Sequence, residues 1–137
     1  MAAERNGSIF ASDGRGFGCV AAEDGVTLSL EGCDLTCNGD APCLWSSGAT
    51  LFLEGCDLTC ESMTVVQISD AGSTATISGC CIHGGKMQGV VISEGASATL
   101  ENNNIHSNTY AGVRVQGEGT EVVLRGNRIH DGKESGV

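Results

Sequence analysis

Basic side chains are scarce in this sequence, whose 137 residues include 7 Lys and Arg against 17 Asp and Glu, for a formal net charge of −10. A nucleic acid or an anionic membrane would need many basic side chains for binding, so we exclude both as partners. The first residues, MAAERNGSIF, contain no apolar stretch of signal-peptide length, and no segment approaches the roughly 20 apolar residues that cross a bilayer. We therefore expect a soluble, cytoplasmic protein.

Proline and aromatic residues are also scarce, with one Pro, three Phe, one Trp and one Tyr. The core of such a chain must be aliphatic, and 40% apolar residues are enough for one core in a single domain, residues 1–137. Glycine is abundant, because its 21 residues are about twice the usual share. With so little proline, neither a collagen repeat nor a proline-rich linker explains the glycine, which therefore indicates many tight turns.

The eight letters LEGCDLTC occur twice, at Leu30–Cys37 and Leu53–Cys60, and they belong to a longer repeat. We take as the anchor of each repeat the last apolar residue of its motif. The anchors lie 23 or 24 residues apart, at Leu35, Leu58, Ile82, Ile105 and Ile129. The local period within each repeat is 2, which is typical of strands that bury alternate residues. Each repeat therefore predicts one coil of two or three short strands.

Four further columns of apolar residues recur with the anchors and are predicted to face the interior. Two columns precede the anchor, by seven and by five residues, and two follow it, by eight and by ten. Their members are Leu28, Leu51, Ala75, Ala98 and Val122; Leu30, Leu53, Ile77, Leu100 and Leu124; Cys43, Val66, Val90, Val113 and Val137; and Trp45, Ile68, Ile92 and Val115. Coils of nearly equal length with these columns are expected to stack.

Two columns of glycine or asparagine predict recurring corners, because both residues tolerate positive φ. They are Gly25, Gly48, Gly72, Gly95 and Gly119, and Gly32, Gly55, Gly79, Asn102 and Gly126. A leucine-rich repeat fits part of the pattern, but it needs a further Leu three residues earlier and a helical return, and the sequence provides neither. Strands separated by corners therefore favour a parallel β-helix.

The stretches ENNNIHSNTYAGVRVQGEG and RGNRIHDGKESGV resemble the right-handed parallel β-helix repeat. This repeat is shared by pectate-lyase-like, pectin-degrading enzymes, some F-box ubiquitin-ligase receptors and SHC-binding spindle proteins, and the second stretch is most similar to the receptor and spindle branch. The resemblance implies an all-β, right-handed, single-stranded parallel β-helix of about five to six coils of 23–24 residues. A degenerate first coil, residues 1–25, would place Cys19 and Ala21 in inward columns, and regular coils would follow over residues 26–137.

The last coil is expected to be incomplete, because the chain stops at Gly136 and Val137 where earlier coils continue. The last strands of a β-helix have unpaired N–H and C=O groups, which complete proteins cover. We therefore expect either a fragment of a longer β-helix or end-to-end self-association through the open C-terminal coil.

The corner two residues before each anchor is where the resemblance implies an internal ladder of asparagines. This chain has at those positions Cys33, Cys56, Cys80, Asn103 and Asn127. We expect the three thiols to form a small buried apolar stack in place of the hydrogen bonds that asparagines would make. In a reducing compartment most of the eight cysteines are expected to be buried free thiols.

Two alternatives for the cysteines stay open, a zinc site and a cross-coil disulfide. Zinc would need Cys33, Cys37, Cys56 and Cys60 around one ion. Neighbouring coils lie ~4.8 Å apart, but four residues of extended chain span ~13 Å, so only a sharp bend at the anchors would bring the four sulfurs together. A disulfide between coils would need oxidising conditions.

Three sets of outward-facing polar residues are candidate sites. His83, His106 and His130 follow their anchors directly and could hold a metal or act as acid and base, although three ligands in a straight file make a poor tetrahedron. Two carboxylate columns, Glu31 with Glu54 and Asp34 with Asp57, could bind Ca²⁺ or supply a glycosidase pair. The opposite charges of Arg125 and Arg128 end these columns. Repetition of the Ile-His motif explains the histidines, duplicated surface charge explains the carboxylates, and sequence drift explains the arginines, so no catalytic, cofactor-binding or metal-binding residue is predicted.

Two functional hypotheses follow. The first is a non-catalytic binding or scaffold module that presents strand faces to a protein or glycan partner. The second is a polysaccharide-active β-helix enzyme, a lyase or hydrolase, or its inactive remnant. The pectin-degrading families share Asn-Thr-Asp, Asp-Asp, Gly-His-Gly and Arg-x-Lys signatures, which this sequence lacks. Short coils also leave no long loops to build a cleft. We therefore favour the module and expect neither enzymatic activity nor a cofactor.

Overall fold

The structure is a computed structural model that describes residues 2–6, 9–12, 20–22, 25, 27–37, 42–61, 64–133 and 136–137, and for residues 2–6, 9–12, 20–21 and 37 it describes the backbone. The regular elements in these ranges are 17 strands, numbered β1 to β17 in chain order. Among the described residues, no helix is long and apolar enough to cross a membrane.

The strands form three sheets, and successive strands of the chain enter sheets A, B and C in turn. Sheet A contains β1 (Ala2–Asn6), β4 (Thr27–Glu31), β7 (Thr50–Glu54), β10 (Thr74–Ser78), β13 (Ser97–Glu101) and β16 (Glu121–Arg125). Sheet B contains β2 (Ile9–Ser12), β5 (Asp34–Cys37), β8 (Asp57–Cys60), β11 (Cys81–His83), β14 (Asn104–His106) and β17 (Arg128–His130). Sheet C contains β3 (Val20–Ala22), β6 (Leu44–Ser47), β9 (Val66–Ser69), β12 (Val90–Ser93) and β15 (Val113–Gln116).

Each strand pairs in parallel with the strands of the coils before and after it, which confirms the predicted all-β parallel β-helix. Side chains alternate between the two faces of each sheet, as the period of 2 predicts. In β10, Ala75 and Ile77 are buried whereas Thr74 and Thr76 are exposed. The inner faces of the three sheets enclose the apolar core, and most side chains on their outer faces are polar.

The anchors form a continuous column through this core. Leu35, Leu58, Ile82 and Ile105 pair in order along sheet B, and none is more than 1% exposed. Full burial of a Leu or Ile side chain contributes about 1.5–3 kcal/mol. The column therefore supplies much of the stabilisation that holds neighbouring coils together.

All ten predicted corner positions adopt positive φ, from 55° at Asn102 to 89° at Gly72. They lie before and after the strands of sheet A, where the chain turns between sheets. A further corner after sheet B was not predicted: Gly84, Ser107 and Asp131 have φ of 76°, 58° and 57°. Positive φ is unfavourable for most residues other than glycine. Of these three positions, only Gly84 therefore gave a sequence signal for a corner.

The predicted inward residues of β6 are wrong by one position. The prediction placed Cys43 and Trp45 in these two inward columns, which Leu44 and Ser46 occupy instead, each 0% exposed. Cys43 is nevertheless buried in the core, just before the strand begins. Trp45 is half-buried and pairs with Gln67. Leu44 follows its anchor by nine residues, where the next three coils have eight, and the connection after β6 is shorter. The coil length is therefore unchanged and could not reveal the shift.

The first coil requires a related correction. Ala22, which is 2% exposed, pairs with Ser46 and occupies an inward column of β3. The prediction had assigned inward positions to Cys19 and Ala21. Ala21 instead pairs with Trp45, and Cys19 lies outside the described residues.

Three predicted inward residues are exposed, Val115 by 42%, Leu124 by 38% and Val137 by 63%. They belong to the last part of the stack, where no coil among the described residues packs on β15 and β16. The predicted end-to-end association would use this apolar surface, and it stays a prediction.

The shift in β6 gives a test of the core. The hydroxyl of Ser46 is buried and has no hydrogen-bond partner among the described residues, and such a group costs about 1–3 kcal/mol. We expect Ser46→Ala to raise the free energy of unfolding by about 1 kcal/mol in denaturant titrations. Ser47→Ala is the matched control, because the Ser47 hydroxyl donates to Asp70 on the outside and its removal should bring no gain. A loss of stability in Ser46→Ala would contradict the assigned register.

The corner column of thiols and amides is hydrogen-bonded, which corrects the expected apolar stack. The Cys80 N–H donates to Asn103 Oδ1 at 2.9 Å, and the Cys56 N–H donates to Cys80 Sγ at 3.4 Å. Asn103 Nδ2 donates to the Ile77 carbonyl at 2.9 Å, and Cys56 Sγ makes the equivalent contact with the Leu30 carbonyl at 3.5 Å. The thiols therefore use the same partners as the asparagines, at longer distances.

The thiol of Cys80 can act as a donor because it stays protonated. Its hydrogen bond with Cys56 and its burial raise the pKa of Cys80. Its Sγ contacts the Ser78 carbonyl at 3.4 Å. A buried polar group of this kind is tolerated only when its partners are present.

Asn103 offers a direct test of this column. Asn103→Ala should lower the free energy of unfolding by about 1–3 kcal/mol, because it leaves the buried Cys80 N–H without its acceptor. Asn103→Cys should cost less, since a thiol fills the same position in three other coils. Denaturant titration under reducing conditions measures both. Equal losses in the two variants would show that the sulfur contributes no hydrogen bond.

Candidate functional site

The outer face of sheet B carries two adjacent polar columns. The residues before the anchors pair in the order Asp34, Asp57, Cys81, Asn104 and Arg128. The residues after the anchors pair in the order Thr36, Thr59, His83, His106 and His130. Both columns face outward because they flank an inward anchor in a strand with a period of 2.

The three histidines stack on one another, as the sequence predicts. The ring centroids of His83 and His106 are 5.0 Å apart with an interplanar angle of 1°. Those of His106 and His130 are 5.3 Å apart at 17°. The spacing is close to the ~4.8 Å between parallel strands, so the backbone register sets the stack.

Each histidine reaches back by one coil to the neighbouring column. His83 Nε2 lies 2.7 Å from Asp57 Oδ1, and His130 Nε2 lies 2.8 Å from Asn104 Oδ1. His106 Nε2 lies 3.5 Å from Cys81 Sγ. The same geometry thus places a carboxylate, a thiol and an amide against three successive imidazoles.

The surroundings of His106, the middle histidine of this row, disfavour its protonated form. Burial lowers the pKa of His106, and the neighbouring His83 and His130 lower it further. Burial also raises the pKa of the Cys81 thiol, with Asp57 as the second cause. A reactive cysteine needs a lowered pKa, so the Cys81 and His106 pair does not have the electrostatics of an activated nucleophile.

One group of metal-ligating side chains stands out among the described residues. The donor atoms of Asp57, Cys81 and His83 all lie within 4.8 Å of one another. The sequence analysis had placed Asp57 and His83 in separate hypotheses and had missed Cys81. The signal was present in the position of Cys81 directly before the anchor Ile82, because successive residues of a strand point to opposite faces and the anchor points inward.

Three of the four cysteines of the zinc alternative have described side chains. Cys33, Cys56 and Cys60 are buried, and the Cys33 and Cys56 sulfurs contact backbone carbonyls at 3.6 and 3.5 Å. The side chain of Cys37 lies outside the described residues. Cys43 and Cys80 are also buried, and Cys81 is half-buried.

The predicted carboxylate columns exist but lie on different sheets. Glu31 pairs with Glu54 in sheet A, and Asp34 pairs with Asp57 in sheet B. A corner separates the two pairs in each coil. At the other end of the sheet A column, Arg125 lies 3.7 Å from Glu101, an exposed contact that contributes little to stability.

The outer face of sheet A carries an aromatic side chain in a row of smaller residues. This row consists of Ser29, Phe52, Thr76, Thr99 and Val123. Phe52 is 45% exposed and lines a shallow depression of about 310 Å³ together with Glu31 and Glu54. A second depression of about 240 Å³ is lined mainly by hydroxyl-bearing residues and Val123. Sheet A therefore offers a broad, open surface.

The profile of the family described as "Right handed beta helix region" matches residues 19–137. The chain belongs to this family. The handedness implied by the sequence resemblance is thereby confirmed. Neither the comparison with curated proteins nor that with solved structures gives a match. The β-helix family relationship establishes the fold, and function must be argued from the surfaces of this chain.

The histidine stack makes the stability of this β-helix dependent on pH. The folded protein holds the pKa of His106 below its unfolded value of about 6.5, so the unfolded chain binds more protons as the pH falls. The contribution of His106 is therefore present above about pH 6.5 and is lost as the pH falls through the lower, folded pKa. We expect the melting temperature to decrease between pH 7 and 5, and less so in His106→Asn. Identical pH profiles for the two proteins would contradict this account.

Proposed function

We propose that this β-helix is a non-catalytic binding or scaffold module that presents the outer face of sheet A to a protein or glycan partner. The observation that supports this most directly is Phe52, an aromatic side chain 45% exposed on a flat strand face. A ring in this position offers apolar contact area that loses little conformational entropy on binding.

The surroundings of Phe52 add hydrogen-bonding groups. Its neighbours in register are Ser29 and Thr76, and the carboxylates of Glu31 and Glu54 line the same depression. A sugar ring has an apolar C–H face that stacks on an aromatic ring, and its hydroxyls donate to carboxylates. An aliphatic protein side chain beside a lysine or arginine meets the same pattern of contacts.

Charge narrows the class of partner. Glu31 and Glu54 are both exposed, and the chain carries a net charge of −10. Polyuronides are anionic and would be repelled by this surface. A neutral glycan or a protein surface with basic residues fits the proposal better than a pectin-like substrate does.

The shape of the surface supports binding more than catalysis. Glycosidases hold two carboxyl groups about 5–9.5 Å apart across a bond that is enclosed in a cleft. The depression at Phe52 is shallow, and its two carboxylates lie side by side along the stack rather than across a groove. Over the part of the chain that the structure describes, the outer strand faces also lack the long loops that normally surround an active site.

The test compares Phe52→Ser with Val123→Ser, because both side chains are similarly exposed in the same row. Binding is measured on an array of neutral and acidic glycans and, for a protein partner, by titration with surface-basic candidates. We expect Phe52→Ser to weaken binding by at least about 10-fold, which corresponds to about 1.4 kcal/mol, and Val123→Ser to leave it unchanged.

A polyuronide panel distinguishes the enzymatic alternative. Wild-type protein is incubated with each polymer, and reducing ends and unsaturated products are measured. We expect no turnover. Turnover that is lost in Glu54→Gln, or binding that is equal in Phe52→Ser and wild type, would overturn the proposal.

A further inference from the structure

The outer face of sheet B brings four metal-ligating side chains of different chemistry together on three adjacent strands. Asp57 begins β8, Cys81 and His83 belong to β11, and His106 ends β14. Asp57 pairs with Cys81, and His83 pairs with His106. The register therefore places a carboxylate oxygen, a thiol sulfur and two imidazole nitrogens at the corners of one small patch.

The distances within this patch are those of a site that can close on an ion. The donors of Asp57, Cys81 and His83 lie within 4.8 Å of one another. Asp57 Oδ1 lies 2.7 Å from His83 Nε2, and Cys81 Sγ lies 3.5 Å from His106 Nε2. Metal bonds of about 2.0–2.3 Å in a tetrahedron separate the ligands by roughly 3.3–3.8 Å. Three of the donors are thus already close to that range, whereas His106 contacts only Cys81 among them and its imidazole would have to turn towards Asp57 and His83 to become the fourth ligand.

We propose that Asp57, Cys81, His83 and His106 form a binding site for a divalent transition-metal ion of the zinc type. Imidazole and thiolate donors select zinc, cobalt and related ions, whereas magnesium and calcium prefer sites made of oxygen alone. Binding replaces the Cys81 S–H bond by a metal–sulfur bond, and the proton passes to the solvent. The ion keeps its charge of +2, and no redox step is involved.

The site is confined to one place on the sheet because the two columns change along the stack. In the histidine column, Thr36 and Thr59 stand where the later coils have histidine, and in the neighbouring column Asn104 stands where β11 has the thiol. His130 is held by other contacts, with Nε2 at 2.8 Å from Asn104 and Nδ1 at 2.7 Å from Asp131. His130 therefore belongs to the same stack without belonging to the site.

A bound ion would join three consecutive coils through their side chains. Such an ion stabilises the folded protein by mass action, because the unfolded chain does not hold the four donors together. The site lies on a different sheet from Phe52, so it is independent of the proposed partner surface. Metal binding and partner binding can accordingly fail separately.

The test uses chelator-treated, fully reduced protein titrated with Co²⁺ as a spectroscopic probe and then with Zn²⁺. We expect one Co²⁺ per chain, with the strong visible bands of tetrahedral cobalt and a sulfur-to-cobalt charge-transfer band in the near ultraviolet. Zn²⁺ should displace Co²⁺ and raise the melting temperature. Cys81→Ser should abolish the charge-transfer band, since the other cysteine sulfurs with described side chains are buried away from this face.

Substitutions distinguish the proposed metal ligands from a histidine that only stacks beside them. Asp57→Asn, His83→Asn and His106→Asn should each weaken Zn²⁺ binding by at least about 10–100-fold. His130→Asn is the matched control and should keep the wild-type affinity, with circular dichroism confirming the fold of each variant. The proposal is overturned if wild type shows no charge-transfer band at equimolar Co²⁺, if the band persists in Cys81→Ser, or if His106→Asn binds as tightly as His130→Asn.

Discussion

Parallel pairing in register between successive coils is the constraint on which the rest of this molecule depends. Every strand of the inner coils donates to and accepts from the coils on both sides, so equivalent residues must stack about 4.8 Å apart. Residues of the same type therefore stack on one another wherever the repeat is conserved from coil to coil. In the core this suits the aliphatic anchors, whereas on the surface it forces Glu31 against Glu54 and Asp34 against Asp57. Repulsion between such exposed pairs is small, and the backbone bonds and buried columns determine the register.

The same constraint explains how a corner can contain polar groups inside the protein. A turn at positive φ leaves an N–H directed along the stack, where the next coil must supply an acceptor. Asn103 supplies one for Cys80, and the Cys80 sulfur supplies one for Cys56. A thiol is a weaker donor and acceptor than an amide. The coils with a cysteine at this corner nevertheless keep the same hydrogen bonds as those with an asparagine. The position requires a small side chain that can accept a hydrogen bond, and either sulfur or oxygen meets this requirement.

Those features of the fold that repeat could be predicted from the sequence. The anchors and both glycine columns follow from period and from φ preferences, and the structure confirms them at every described position. The shift at Leu44 could not be found from the repeat, because a longer connection before β6 is offset by a shorter one after it. Cys81 was missed for another reason. It was not considered separately from the other cysteines, although its place directly before the anchor Ile82 puts it on the outer face.

The two candidate sites arise where an outer column departs from its own pattern. Core columns stay largely apolar because a buried polar group costs free energy, with Ser46 as an exception, whereas outer columns have no such restriction. Phe52 interrupts a row of hydroxyls, and Cys81 interrupts a row of acids and amides. A single substitution in an outer column changes the side-chain chemistry of one coil only. The neighbouring coils hold the new side chain at a fixed distance from their own. A β-helix can therefore acquire a localised site without a loop or a cleft, provided that its ligands come from adjacent columns of adjacent coils.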